Sequence, residues 1–214
     1  MRGRAVIYDY FSMVLSGPPS KQILGLSRKL LPAFSELGEA AASGLELLES
    51  YAEKEAAMDE ATILNLASTN YTTLFYIGLG SVPSSESVFV SPARLVKQEP
   101  WEKVVAFYYI RKYQKPEQIR EPEDHISVEL DFMRYMCNLA LYMLENAHDD
   151  KLDACYNEQI TFLDEHLLRW VPDFCRAVRA KEKYDETGLY TAAALLLPVF
   201  LTSDFELLGT LADQ

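Results

Sequence analysis

Apolar residues recur every three or four positions along almost the whole chain, and this spacing constrains the fold more than any other feature. The clearest apolar stripe begins just past the middle of the chain and comprises Ile126, Leu130, Met133, Cys137 and Leu141. Such spacing places apolar side chains on one face of an α-helix, whereas no segment alternates for long as a half-exposed strand would. The sequence therefore predicts an all-α protein, a helical bundle of roughly nine to eleven helices.

A polar segment that contains a proline precedes this central helix. We place an N-terminal helical part at residues 1–114, a hinge at 115–123 and a C-terminal helical part at 124–214. Polar segments with proline are typical of connections between helices. The two parts could also pack as one domain, because 214 residues are enough to bury a substantial core.

The start of the central helix is rich in acidic residues. Pro122 suits the first turn of a helix because it lacks a backbone N–H and has a fixed φ. Asp124 is the expected N-cap, and Glu121 and Glu123 would add negative charge near the positive end of the helix dipole. We therefore expect the central helix to begin at Asp124.

Other residues mark further boundaries. Asp59 is the expected N-cap of a helix. Val88–Val90 could form a short strand, although the sequence offers no strand to pair with it. Pro172 is expected to end the helix Leu152–Trp170, and Pro198 is expected to interrupt the last helix.

The formal net charge of −12 argues against general binding to nucleic acid or anionic membranes and would favour a basic partner. We expect no membrane span, because the chain has no run of about 18 apolar residues. The N-terminus lacks the pattern of a signal peptide. Cys137, Cys155 and Cys175 are widely separated, which indicates reduced cysteines and fits a cytoplasmic protein.

The chain offers few groups for catalysis, and no nucleophile elbow, Walker A loop or zinc-binding HExxH motif occurs. Glu145 and His148 form one Glu-x-x-His pair, whereas a di-iron bundle needs two, so we expect no metal site. His125 and Glu129 would share a helix face and could act as an acid–base pair. A salt bridge or a helix cap is the commoner role of such a pair, and we expect the protein not to be an enzyme.

The third histidine, His166, lies on the helix that follows the central helix. Phe162, His166 and Trp170 fall on one stripe of this helix. This pattern favours a partly buried histidine that forms a hydrogen bond inside the bundle. We expect such a residue to be able to fix its helix against the central helix.

Two motifs resemble those of the TorD/DmsD-type family of cytoplasmic chaperones for enzymes exported by the twin-arginine route. Glu121–Leu130 is similar to the family signature E-P-x-D-H-hydrophobic-small-x-E-L. Phe162–Pro172 is similar to the signature F-L-x-x-H-hydrophobic-x-x-W-hydrophobic-P, so that His166, Trp170 and Pro172 form a structural motif. Weaker similarities lie at residues 71–75 and 86–89, and the order of all four matches over nearly the whole chain.

The resemblance implies an all-helical fold with a hinge near the first motif. It also implies a non-catalytic protein that binds the twin-arginine leader or the body of a molybdopterin oxidoreductase and holds the apoenzyme for cofactor insertion before export. Residues matching Pro122, Asp124 and His125 are implicated in leader binding in that family. The hinge has been linked to nucleotide binding, so we expect no cofactor beyond weak nucleotide binding there.

Recognition of a leader with two arginines and an apolar segment needs carboxylates beside an apolar groove. The expected leader-binding residues are Glu121, Pro122, Glu123, Asp124, His125, Glu129, Tyr71, Phe75, Phe89 and Trp101. Each aromatic residue taken alone could equally belong to the core.

The leading hypothesis is a cytoplasmic maturation chaperone, either monomer or homodimer, whose partners are a leader peptide and an apo-molybdoenzyme. The alternative is a regulatory protein that binds a nucleotide or another small molecule at the same hinge. An enzyme that uses His125 and Glu129 is a third possibility.

Overall fold

The computed structural model describes residues 2–77, 80–117, 119–147 and 149–212, and these residues are organised almost entirely as helices. The α-helices are α1 (Arg2–Ser16), α2 (Leu26–Ser35), α3 (Ala42–Ala57), α4 (Glu60–Phe75), α5 (Glu86–Val90), α6 (Glu99–Ile110), α7 (Ile126–Glu145), α8 (Asp149–Phe162), α9 (Leu168–Arg179) and α10 (Leu189–Ala212). Short 3-10 turns occur at Lys21–Ile23, Glu39–Ala41 and Glu182–Tyr184. Within the described ranges no strand forms, which confirms the all-α prediction.

The central helix α7 lies against α1 and α8, and α10 packs against α3, α8 and α9. The apolar stripe predicted for α7 is buried at Ile126, Leu130, Met133 and Cys137. Residues on both sides of the segment 115–123 belong to one hydrophobic cluster. Gln118 lies outside the described residues, and the action of this segment as a hinge stays a prediction.

A buried polar network ties the two ends of the chain together. Arg4 Nη2 donates hydrogen bonds to Asp204 Oδ2 at 2.9 Å and to Gln159 Oε1 at 2.8 Å, and Tyr8 OH donates to Asp204 Oδ2 at 2.7 Å. Arg4 is 6% exposed and Asp204 is 2% exposed. Removing one member of such a buried ion pair leaves an uncompensated charge and costs about 3–5 kcal/mol. The network therefore fixes α1 to α8 and α10.

The possible short strand at Val88–Val90 does not form, because these residues lie in helix α5. Ser91 N donates to Ser87 O at 3.1 Å, as helical geometry requires. The ring centroid of Phe89 lies 5.5 Å from that of Trp170 and 6.3 Å from that of Phe174. These tertiary contacts outweigh the strand propensity of the β-branched residues.

The predicted helix end at Pro172 is also wrong. A π-helical turn at Leu163–Leu167 joins α8 to α9, and Pro172 lies inside α9. The proline removes one backbone donor, but its neighbours Trp170, Val171 and Phe174 are at most 1% exposed. Burial of these side chains maintains the helix across the missing hydrogen bond.

Pro198 likewise lies inside a continuous α10, so the expected interruption of the last helix is wrong. By length and composition, α10 is the one described helix long and apolar enough to cross a membrane. Its residues Leu189, Leu197 and Leu201 are nevertheless fully buried against the rest of the bundle. Burial of this kind is typical of the core helix of a globular protein.

Helices α3 and α10 approach closely at Gly44, which provides a test of the packing. A Cβ atom at Gly44 would lie 2.7 Å from Leu196 Cγ, whereas a Cβ atom at Gly209 would meet nothing within 4 Å. Alanine favours a helix by about 1 kcal/mol over glycine, but overpacking costs about 1–3 kcal/mol. We expect Gly44→Ala to lower the free energy of unfolding by roughly 1 kcal/mol.

The matched control is Gly209→Ala. Gly209 also lies in an α-helix, but a Cβ atom there would meet no neighbouring atom within 4 Å. We expect this variant to raise the free energy of unfolding by about 0.5–1 kcal/mol. Denaturation midpoints in urea measure both effects. Equal stabilisation by the two substitutions would show that α3 and α10 are not in close contact at Gly44.

Candidate functional site

The side chain that caps α7 is His125, so the prediction that Asp124 is the N-cap is wrong. Ser127 N donates to His125 Nδ1 at 3.3 Å, and Ser127 Oγ lies 2.8 Å from the same atom. Burial lowers the pKa of His125 to about 4. The imidazole is therefore neutral at pH 7 and can accept the capping hydrogen bond.

Asp124 instead binds the segment that begins α5. Its Oδ2 accepts a hydrogen bond from Ser87 N at 2.9 Å, and its backbone O accepts one from Glu86 N at 2.9 Å. Ile126 N donates to Ser84 O at 2.8 Å, which completes a short antiparallel bridge. Asp124 is fully buried. The first motif thus holds α5 against the start of α7.

Glu129 lies in the core and joins α7 to α9. Its Oε2 accepts a hydrogen bond from Trp170 Nε1 at 3.1 Å. Burial, together with the nearby carboxyl group of Glu86, raises the pKa of Glu129 well above its ordinary value of 4.5. The side chain is therefore held as a neutral acid, because ionising it in this apolar surrounding would be costly.

His166 joins α5 to the π-helical turn between α8 and α9. Its Nδ1 lies 2.8 Å from Glu86 Oε2, and both residues are 1% exposed. The Phe162 ring centroid lies 4.9 Å from that of the imidazole. The hydrogen bond from this part of the chain to the central helix comes from Trp170 rather than from His166.

A pocket of about 220 Å³ opens beside this junction. Its walls come from the end of α4, the segment before α5, α5 itself, the segment before α6, and the first motif. The lining residues are Tyr71, Phe75, Tyr76, Val82, Pro83, Ser84, Ser85, Val88, Val96, Glu121, Pro122 and His125. Five of the predicted binding residues, Tyr71, Phe75, Glu121, Pro122 and His125, therefore meet in one place.

The remaining predicted residues lie outside this pocket. Trp101 Nε1 donates to Glu123 Oε2 at 2.6 Å. Phe89 packs on Trp170, and Asp124 and Glu129 are buried beneath the surface. These residues support the elements around the pocket.

Glu123 lies at the surface next to a lysine. Burial raises its pKa, but the hydrogen bond from Trp101 and the charge of Lys115 outweigh this effect and lower it. Lys115 Nζ lies 3.3 Å from Glu123 Oε1 and also donates a hydrogen bond to Glu121 O. The carboxylate is therefore ionised above mildly acidic pH.

Sequence reasoning missed Lys115 and Tyr76. Tyr76 OH donates to Glu121 Oε1 at 2.6 Å, and the tyrosine is 56% exposed at the mouth of the pocket. Tyr76 directly follows one of the weaker motif similarities, at residues 71–75, and that position could have indicated it. Lys115 lies in the polar segment, where its neighbours in sequence do not indicate its partners in space.

The arrangement suits binding better than catalysis. An apolar pocket lies beside two carboxylates, and the side chains of His125 and Glu129 hydrogen-bond to different partners. In the described ranges no group of three or more His, Cys, Asp or Glu residues could hold a metal ion. His148 lies outside the described residues.

The raised pKa of Glu129 predicts how stability depends on pH. The folded state holds a proton that the unfolded state releases above about pH 4.5, so the contribution of Glu129 to stability decreases as pH rises above that value. We expect the stability of Glu129→Gln relative to the natural protein to increase between about pH 4 and pH 7. Urea denaturation at several pH values measures this difference.

The matched control is Glu123→Gln, because the pKa of Glu123 is lowered. Its contribution to stability is present above the unfolded-state pKa and is lost as pH falls. The relative stability of this variant should therefore change in the opposite direction with pH. A constant difference for Glu129→Gln across the range would contradict a protonated Glu129.

Comparison with known proteins places these motifs in a family. A family model described as nitrate reductase delta subunit matches residues 35–176, about two thirds of the chain. This range includes the first motif, the α5 segment and both His166 and Trp170.

Individual relatives point to the same group. The chain is 35% identical over 128 residues to the Chaperone protein TorD of Vibrio vulnificus, which covers 59% of this chain and 56% of the relative. It is 30% identical over 125 residues to the Chaperone protein TorD of Photobacterium profundum, covering 58% and 55% of the two chains. The chain thus spans about half the length of the curated relatives it matches. The resemblance seen in the sequence is confirmed, and the chain belongs to the TorD-like family that the nitrate reductase delta subunit model describes.

Proposed function

We propose that the protein is a cytoplasmic maturation chaperone, without catalytic activity or a cofactor of its own. It binds the twin-arginine leader, the body, or both, of a molybdopterin oxidoreductase and holds the apoenzyme until its cofactor is inserted. The observation that carries this proposal is the pocket that joins Tyr71, Phe75 and Pro122 to the carboxylate of Glu121. Relatives named Chaperone protein TorD support the general role.

The shape of the pocket favours a peptide side chain as the occupant. Its volume of about 220 Å³ is smaller than the roughly 300–1,000 Å³ of typical small-molecule sites. Ile77 and Leu95 are 68% and 61% exposed on the same part of the chain as the pocket-lining Tyr76 and Val96. An apolar side chain of the leader would enter the pocket while its neighbours cover this exposed apolar surface.

The acidic residues at the pocket favour a cationic peptide. Glu121 lines the pocket, and Glu123 lies two residues further along the motif with its carboxylate ionised. A guanidinium group pairs well with carboxylates because its donors form a planar fork. The net charge of −12 would also accelerate the approach of a basic leader.

The buried members of the first motif affect leader binding indirectly, because they hold in place the helices that surround the pocket. Asp124 holds the start of α5, and Val88 of this helix and Ser85 just before it line the pocket. Glu129 fixes α9 to α7 through Trp170. Trp101 and Phe89 stabilise the same junction by a hydrogen bond to Glu123 and by ring packing. We assign these residues a positioning role and assign direct contact to the pocket-lining set and to the carboxylate of Glu123 beside it.

A titration with leader peptides tests the proposal. We expect a twin-arginine leader from a molybdoenzyme to bind more tightly than the same peptide with both arginines changed to alanine. Glu121→Gln should weaken binding of the native leader by about 1.4- to fivefold, since a partly exposed ion pair contributes about 0.2–1 kcal/mol. Isothermal titration calorimetry at low and high salt measures both effects.

The control variant is Glu206→Gln, which removes the same charge from an exposed position on α10. We expect this variant to bind the leader as the natural protein does. Equal weakening by both substitutions would show that only overall charge matters. Failure of the natural protein to bind leaders from several molybdoenzymes would reject leader binding altogether.

A further inference from the structure

An internal cation occupies two acceptors of the first motif. Lys115 Nζ donates a hydrogen bond to the backbone O of Glu121 and lies 3.3 Å from Glu123 Oε1. The side chain of Lys115 is only 21% exposed, so its ammonium group is held in place rather than extended into solvent. It reaches across the segment 115–123 from one end to the other.

Two further side-chain oxygens of the motif accept hydrogen bonds as well. Glu123 Oε2 accepts from Trp101 Nε1 at 2.6 Å, and Glu121 Oε1 accepts from Tyr76 OH at 2.6 Å. Of these three carboxylate oxygens, Glu123 Oε1 is therefore the one that is already paired with a positive charge. An incoming guanidinium group that bound Glu123 would meet the ammonium group of Lys115 at close range.

We propose that Lys115 is an internal competitor of the leader and determines which cationic peptides can bind. This inference rests on the proposed function: the ammonium group of Lys115 occupies the position that an arginine of the leader takes in the complex. Binding breaks the Lys115–Glu123 ion pair and forms a guanidinium–carboxylate pair in its place.

The competition would discriminate between cations. A lysine of a peptide would only exchange one ammonium group for another at the carboxylate. A guanidinium group forms two parallel hydrogen bonds and is less strongly hydrated, so it gains more from the exchange. Lys115 therefore weakens the binding of cationic peptides, and it weakens the binding of peptide lysines more than that of peptide arginines.

The test compares Lys115→Met, which keeps most of the apolar stem, with Lys115→Arg, which keeps the charge. We expect Lys115→Met to bind the native leader about threefold more tightly than the natural protein, because one competing ion pair is removed. The gain should vanish for the peptide whose arginines are alanine, and it should shrink at high salt. Lys115→Arg should show no gain.

Two further variants separate competition at Glu123 from an effect of the overall charge of the protein. Lys103→Met removes an exposed lysine that is paired with Glu99, and it should leave the affinity unchanged. Adding Glu123→Gln to Lys115→Met should cancel the gain, as a double-mutant cycle would reveal. Thermal denaturation of each variant confirms that it is folded.

The outcomes are distinguishable. If the natural protein binds the leader and Lys115→Met binds equally tightly or more weakly, the competitor role is overturned while the chaperone proposal stands. A gain that is equal for the arginine-free peptide also overturns it, because the guanidinium group would then have no part in it. If no variant binds any leader, both proposals fail together.

Discussion

The buried polar attachment of α5 to the start of α7 and to the π-helical turn before α9 is the interaction on which the candidate site depends. A helix of five residues cannot maintain itself, because forming the first turn costs more than its few hydrogen bonds return. Asp124 satisfies the first backbone N–H groups of α5, and Glu86 reaches His166 on the opposite side. Two carboxyl-bearing side chains, Asp124 and Glu86, are thus buried to position one short wall of the pocket.

Predictions that rested on local chemistry succeeded where no distant group competed. Asp59 caps α4 as expected, since its side chain accepts from Thr62 N at 3.0 Å. Asp124 has the same local signature, but Ser87, 37 residues away, provides the donor that it binds, and His125 caps the helix instead. The identity of that donor depends on the tertiary fold, which a local signature does not contain.

Burial of aromatic side chains explains the other differences between the expected and the observed helices. Val88–Val90 has strand-forming residues and Pro172 breaks helices, yet both segments are helical because the aromatic rings around them pack in the core. The helical class and the apolar stripe of α7 were predictable because periodicity reports burial directly. The pocket was only partly predictable: the first motif indicated its acidic side, whereas Tyr76 and Lys115 become neighbours of that motif only in the folded chain.

The ion pair between Arg4 and Asp204 has a consequence for synthesis of the chain on the ribosome. The two residues are 200 positions apart, and α1 also packs on α7 from the far half of the sequence. At about 5–20 residues per second, α1 waits on the order of 10–40 s for its last partner to emerge. Until α7 and then α10 emerge, the apolar face of α1 lacks part of the native surface that covers it. A protein proposed to protect unfinished enzymes therefore itself exposes apolar helix surface while it is being synthesised.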